Sequence, residues 1–264
     1  MGAFETLTLE RRGAGVSWVT MSRPALFNAF DELMISELGA VFDSLSQDPG
    51  VRVVVLGGLG KNFSAGADLQ WMQRASAATQ QWNLEDARRF AAMLARIDRC
   101  AKPTIARVQG AALGGGVGLA CACDIAIAAD SAFFSVSEAK FGILPAVIAP
   151  YLVNAVGKRQ ARRLALSATR ITATQALDIG LVHQVVGADA LDAAVDASAL
   201  ELLAAGPLAQ GEIKRLFAQL AVGPVGDEVI ELTAQTISRV RGGAEAREGF
   251  AAFLGKRPAH WNER

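Results

Sequence analysis

Apolar and polar positions alternate at the start of the chain. Phe4–Glu10 and Val16–Met21 carry the period of two that marks a strand, with a turn over Arg11–Gly15 between them. The spacing then changes. Met34, Leu38, Val41, Phe42 and Leu45 recur every three to four residues, which predicts a helix over Asp31–Gln47 that ends at Pro49-Gly50. Val51–Leu56 is nearly continuous apolar sequence, the signature of a central strand covered on both faces. Trp71–Asn83 is polar and reads as a loop, while Leu84–Arg99 aligns Phe90, Leu94 and Ile97 as an amphipathic helix. Thr104–Val108, Asp124–Ala129 and Ala132–Ser135 read as short strands. Beyond Gly142 the period is helical: Tyr151–Val156, Gln160–Ser167, Thr174–Ile179, Ala190–Ala205, Gln210–Leu220, Asp227–Arg241 and Ala244–Leu254. Thr172–Gln175 has the form of a capping box, and Gly180 sits where a left-handed cap belongs. Strands connected through helices predict an α/β fold with parallel crossovers. The natural division is 1–200 as the α/β core and 201–264 as a helical C-terminal region that covers the sheet or packs on another subunit.

Composition narrows the classes of function. Lys and Arg total 26, and so do Asp and Glu, so the chain lacks the basic excess expected of a nucleic-acid partner. The longest uncharged runs, Val108–Cys123 and Phe141–Gly157, are short for a membrane span and are interrupted by glycine or proline. No basic-then-apolar leader precedes the first strand, and a cytoplasmic protein is expected. Three cysteines make no disulfide framework; Cys121 and Cys123, without a nearby histidine, suit burial better than a metal site, and none is expected.

The candidate chemistry lies in two turns built from small residues. Gly110-Ala-Ala-Leu-Gly-Gly-Gly-Val-Gly118 falls where a strand gives way to a helix, and Ser64–Asp68 is a second such turn. A helix start leaves backbone N–H groups unpartnered and carries partial positive charge. Small residues let a ligand approach that backbone closely. The first stretch lacks the Gly-Lys-Ser/Thr ending of a phosphate loop, and Leu119 stands where a dinucleotide fingerprint needs its third glycine. If the turns face each other, their N–H groups form a two-donor oxyanion hole suited to a thioester that becomes an enolate. If they do not, the glycines serve close helix–strand packing. Enolate chemistry needs a proton carrier, and Glu138 is the candidate, a lone carboxylate at the end of an apolar strand. The competing reading makes Ser135–Glu138 a capping box. His183 and His260, the only histidines, have no serine or carboxylate motif beside them for a nucleophilic triad. Trp71 and Trp82 either line an acyl pocket or pack, and packing is expected.

Six segments in order resemble the crotonase, or enoyl-CoA hydratase/isomerase, superfamily: Ser22–Ala29, Phe63–Leu69, Gly110–Asp124, Ser137–Pro145, Ala176–Val182 and Glu248–Arg257. The resemblance spans nearly the whole chain. It implies a spiral of strand–strand–helix turns, a helical C-terminal region that forms homotrimers or homohexamers, and an acyl-CoA substrate that brings its own coenzyme A, with no separate cofactor. It places the oxyanion donors on the N–H groups of Ala67 and Gly115 and the second catalytic glutamate on Glu138. The family's first glutamate falls on Gly118, so that carboxylate is absent. Coenzyme A contacts fall on Arg23, Ala25 and Leu26, on Ser64, Ala65 and Ala67, and on Phe253 and Lys256, the last two across a subunit boundary. A lysine common in the first of these loops is Ala25 here. Ser64–Met72, Gly116–Leu119 and Ile143–Tyr151 look most like bacterial 3-methylglutaconyl-CoA hydratases. The resemblance therefore implies a hydro-lyase acting on a branched enoyl-CoA. A single-glutamate double-bond isomerase and a catalytically silent acyl-CoA-binding protein remain as alternatives.

Overall fold

A computed structural model describes residues 4–13 and 15–262; Ala14, within the expected turn over 11–15, lies outside the described residues. The main sheet has six strands in the order β1 (Leu7–Arg12), β2 (Val16–Met21), β3 (Val53–Gly58), β4 (Thr104–Val108), β6 (Ile125–Ala129) and β9 (Gln184–Val186). Only β1 and β2 are antiparallel; every later pair is parallel. A small second sheet holds β5 (Ala111–Leu113), β7 (Phe133–Ser135) and β8 (Ile171–Thr172). The chain steps from β4 to β5 and then into α4 (Gly115–Ala122). It steps again from β6 to β7 and on to α5 (Ala149–Ser167). Each step passes from the large sheet to the small one and then into a helix, which is the expected strand–strand–helix spiral; α4 leads straight back to β6 of the large sheet, while α5 leads first to β8 of the small one.

The alternation within β3 shows how the layers form. Val54 and Leu56 join a core with α1 (Glu32–Gln47), α3 (Gln80–Asp98) and α4, while Val53 and Val55 point to the opposite face with Trp18 and Ile105. That opposite face is covered by α7 (Leu191–Ala204), which packs on β3, β4 and β6. Residue 200 thus lies inside a helix that belongs to the sheet layer. The helices α8 (Pro207–Phe217), α9 (Asp227–Arg241) and α10 (Ala244–Leu254) follow it. Arg52, at the foot of β3, donates to the carbonyls of Leu203 and Ala205 at the end of α7 and of Trp261 beyond α10.

One expectation fails. Trp71–Asn83 is not a loop: α2 (Leu69–Ala77) and the first turn of α3 occupy it. Asp68 caps α2 by accepting from the N–H groups of Gln70 and Trp71, and Thr79 caps α3 by accepting from Trp82 N–H. The run is polar because only one of its residues, Trp71, is anchored in the core, 7% exposed with its indole N–H on Asp86. Trp82 packs partly buried against the same core. The two helices expected on either side of residue 157 are both present within α5, separated by a kink at Gly157, whose φ of 72° and ψ of 155° are not helical. The capping box at Thr172 forms, its hydroxyl accepting from Gln175 N–H and Gln175 Oε1 from Thr172 N–H, at the start of α6 (Ala173–Asp178). Burial pushes the Cys121 thiol up to about 12 and raises that of Cys123 as well. His183 Nδ1 accepts from Ala126 N–H, a structural use.

Candidate active site

Three chain segments are stitched side by side through their backbones. Ser64 N–H donates to Ala111 O and Leu113 N–H to Ser64 O, so the two small-residue turns lie against each other as a short parallel bridge. Gly114 N–H donates to Ser135 O, which brings the end of β7 alongside. On the other flank Phe30 N–H donates to Gly66 O and Asp68 N–H to Phe30 O. These bonds straddle Ala67 and leave its own N–H out of the ladder. Gly115 opens α4, so its N–H has no carbonyl one turn earlier to bond. Among the described residues neither N–H donates a hydrogen bond.

The two donors are neighbours. A Cβ on Gly66 would stand 3.4 Å from Gly115 N and 2.5 Å from Leu113 O, and Gly66 has a φ of +84° that side chains rarely adopt. The turns therefore do face each other. They also pack closely, since a Cβ on Gly116 would stand 2.6 Å from Ser64 O. The turns thus both face each other and pack closely.

Glu138 completes the corner. It opens a single 3-10 turn, Glu138–Phe141, after β7. Its Oε1 lies 3.2 Å from the point a Cβ on Gly114 would occupy, and its Oε2 is buried without a hydrogen-bond partner. Burial pushes the carboxyl up from the ordinary carboxylate range, opposed only by its own backbone N–H. The capping box does not form: Ser137 is the N-cap and makes no side-chain bond, while Ser135 Oγ donates to Ala168 O. The Glu138 carboxylate is thus not committed to a helix start.

Where the resemblance put a second carboxylate, the structure has hydrocarbon. A Cβ on Gly118 would stand 2.8 Å from Ile148 Cβ, well inside contact with Ile148 Cγ2, and 3.7 Å from Leu94 Cδ1. Ile148 is the N-cap of α5, which packs on α4. The sequence reading saw the missing carboxylate but not the side chain that fills its place; that contact depends on where α5 begins.

Of the expected coenzyme A residues, those of the loop at Arg23–Leu26 and of Ser64–Ala67 lie on neighbouring segments, while Phe253 and Lys256 lie at the C-terminal helices. Ala25 and Leu26 are exposed on the 3-10 turn Pro24–Leu26. Ala65, half-buried, donates its N–H to Phe27 O. Ser64 is fully buried and spends its hydroxyl internally, donating to Asn28 O and accepting from Gly66 N–H. Arg23 is taken up by protein acceptors. Phe253, 81% exposed on α10, and Lys256 just beyond it are not brought to the corner. Phe253 instead borders a cavity of about 510 Å³ among the C-terminal helices, with Leu208, Glu212, Arg239, Phe250 and Trp261.

Two convergent backbone donors beside a desolvated carboxyl can polarise a carbonyl and move a proton next to it. Residues 11–264 match the enoyl-CoA hydratase/isomerase family. A crotonyl-CoA hydratase of Syntrophomonas wolfei is 32% identical over 265 residues, covering 98% of each chain. A peroxisomal Delta(3,5)-Delta(2,4)-dienoyl-CoA isomerase of Arabidopsis thaliana is 35% identical over 199 residues, 71% of this chain and 72% of that one. The crystal structure of an enoyl-CoA hydratase from Shewanella pealeana superposes with a TM-score of 0.94 at 40% identity, covering 98% of this chain and 96% of that one. On this match along nearly its whole length, the chain belongs to the enoyl-CoA hydratase/isomerase family.

Proposed function

We propose that this protein adds water across the 2,3 double bond of a branched, glutaconyl-like enoyl-CoA, with Glu138 as its single acid–base group. The observation that carries the reading is the pair of free N–H groups, Ala67 and Gly115, beside the unpartnered Glu138 carboxyl. The two donors hold the thioester oxygen. Ionised Glu138 takes a proton from water as the water oxygen bonds to the substrate's third carbon. The electron pair of the double bond moves to the thioester as an enolate, which the donors stabilise. Glu138 then returns the proton to the second carbon, and the carboxylate is restored. Coenzyme A arrives with the substrate, along the loop at Ala25–Leu26 and the segment Ser64–Ala67, with Phe253 and Lys256 supplied across a subunit boundary. A homotrimer or homohexamer in the cytoplasm fits this reading. The exposed apolar side chains of α9 and α10 support the association.

A second reading, a double-bond isomerase, is favoured by the hydrocarbon at Gly118. One carboxylate suffices to take a proton from one carbon of a 3-enoyl thioester and return it to another. The experiment that separates the readings follows the conjugated thioester absorbance of 3-methylglutaconyl-CoA, with crotonyl-CoA in a parallel cuvette. Fast loss with the branched ester and little with crotonyl-CoA supports the proposal. No loss with either, together with a rise in absorbance from a 3-enoyl-CoA, replaces it with the isomerase. Binding of both esters without turnover of any enoyl thioester replaces it with a silent acyl-CoA binder.

A further inference from the structure

We infer that Arg23 is a positioning residue for the Ala67 oxyanion donor rather than a contact for coenzyme A phosphate; the inference rests on the functional reading above. The Arg23 side chain is only 18% exposed. Its guanidinium donates to Ala29 O at 2.7 Å and lies 3.2 Å from Asp31 Oδ2 and 3.1 Å from Asp68 Oδ2. Each of these aspartates spends its other oxygen on a helix start. Asp31 Oδ1 accepts from Met34 N–H in α1, and Asp68 Oδ1 accepts from Gln70 and Trp71 N–H in α2. One planar cation therefore locks two helix caps together.

The Ala67 donor hangs between those caps. Ala67 directly precedes Asp68, and its bridge partner Phe30 directly precedes Asp31. The loop that carries Arg23 is itself held in an uncommon shape, with Phe27 and Asn28 at φ 53° and 55°. Asn28 maintains it by accepting from Arg23 N–H and donating to Leu59 and Asn62 O. Two carboxylates around one guanidinium leave the cluster with a net negative charge, which repels a phosphate. A lysine, a single point charge on a flexible stem, cannot serve both aspartates and Ala29 O in the same plane.

The test compares Arg23→Lys, and Asp68→Asn as a second variant, with wild type on an enoyl-CoA and on the matching pantetheine thioester, which lacks the nucleotide phosphates. Loss of one oxyanion donor is worth about 10²–10³ in kcat. The expected result is a kcat loss of roughly that size on both substrates, with KM changed less than about threefold. A second readout does not need turnover. A conjugated dienoyl thioester should shift its absorbance to the red when bound to wild type, because donors on its carbonyl polarise it. The shift should shrink in both variants at saturating ligand. A rise in KM confined to the coenzyme A ester would overturn the inference in favour of a phosphate contact. Full kcat and an unchanged shift in a variant with lowered melting temperature would overturn it in favour of a purely structural role. Should wild type turn over no enoyl thioester, the functional reading fails, and the shift still decides the role of Arg23.

Discussion

The corner around Gly114 and the three C-terminal helices use the same residue types in opposite ways. In the corner Glu138 is half-buried with no charged partner, and its carboxyl is pushed up. On α8 and α10, Glu212 lies against Arg239 and Arg215, Glu248 against Arg257, and both carboxyls are pushed down to about 2. The corner completes nearly all its hydrogen bonds internally and holds back two N–H groups. No residue of α9 is buried, and Phe250, Phe253 and Leu254 of α10 are all exposed. The chain thus keeps the unpartnered polar groups of the corner from water while leaving apolar side chains of α9 and α10 exposed. In the corner a small change should act on chemistry; in the helices it should act on association.

The largest effect should come from Glu138→Gln, which keeps the shape and removes the proton carrier. A positioned acid–base group contributes about 10²–10⁴-fold, and kcat should fall by that much. In wild type, kcat/KM should fall on acidification through a value above the ordinary carboxylate range, since Glu138 must be ionised to take the water proton. The stability consequence has the opposite sign to that of a salt-bridged acid. Between the ordinary carboxylate value and the raised one, the folded chain holds a proton that the unfolded chain has lost, so folding stability drops as pH rises through that window. The glutamine variant should therefore melt higher than wild type at neutral pH, and the gain should vanish below the ordinary range. Thermal melts at the two pH values check this. A variant as active as wild type would remove Glu138 from the mechanism.

Next comes Gly66→Ala. The added Cβ is opposed by a φ of +84° and by Leu113 O at 2.5 Å, and relief requires the two turns to separate. The strain is worth about 1–3 kcal/mol of stability. Losing the alignment of one donor should lower kcat by about 10²–10³ at nearly constant KM. A loss of stability with kcat intact would show that the facing of the turns matters only for folding.

Smaller again is the effect of restoring the absent carboxylate. Gly118→Glu alone meets Ile148 and Leu94, so it should overpack the α4–α5 contact by about 1–3 kcal/mol and yield no gain in hydration. Adding Ile148→Ala makes room. The pair should be more stable than the sum of its single changes, with a coupling of about 0.5–3 kcal/mol measurable by denaturant melts. Additive effects would mean that Ile148 does not occupy the place of the missing side chain.

The same contrast explains what the sequence could reveal. Val16–Met21, Thr104–Val108, Asp227–Arg241 and Ala244–Leu254 are legible to the residue because local alternation, helical period and flanking glycines or prolines define them. The helical stretch after Asp68 escaped because its outer face is polar, and the caps that start it, Asp68 and Thr79, lie among small polar residues that also suit a loop. In the site, the small-residue turns and the isolated Glu138 were visible. Their facing was not, because it depends on a bridge from Ser64 to Ala112 that no local pattern encodes. The engagement of Arg23 with two caps, and the filling of the Gly118 position by Ile148, are likewise products of tertiary packing.

The smallest effect on the chain itself should come from these exposed apolar side chains. Ile230 and Ile237 are seven residues apart on α9, two turns along one face, and both are more than half exposed. On α10, Phe250, Phe253 and Leu254 repeat at the three- and four-residue spacing of a second apolar stripe. In a lone chain such exposed groups contribute little, so Ile230→Ser with Ile237→Ser should change folding stability by no more than about 0.5 kcal/mol per site. If the stripes meet another copy, the same pair should lower the sedimenting mass of the wild-type assembly while the circular dichroism stays unchanged. The two measurements separate the regions cleanly: a fall in mass with an intact spectrum places these side chains between subunits. A wild type that already sediments as one chain would leave the stripes without the partner proposed for them.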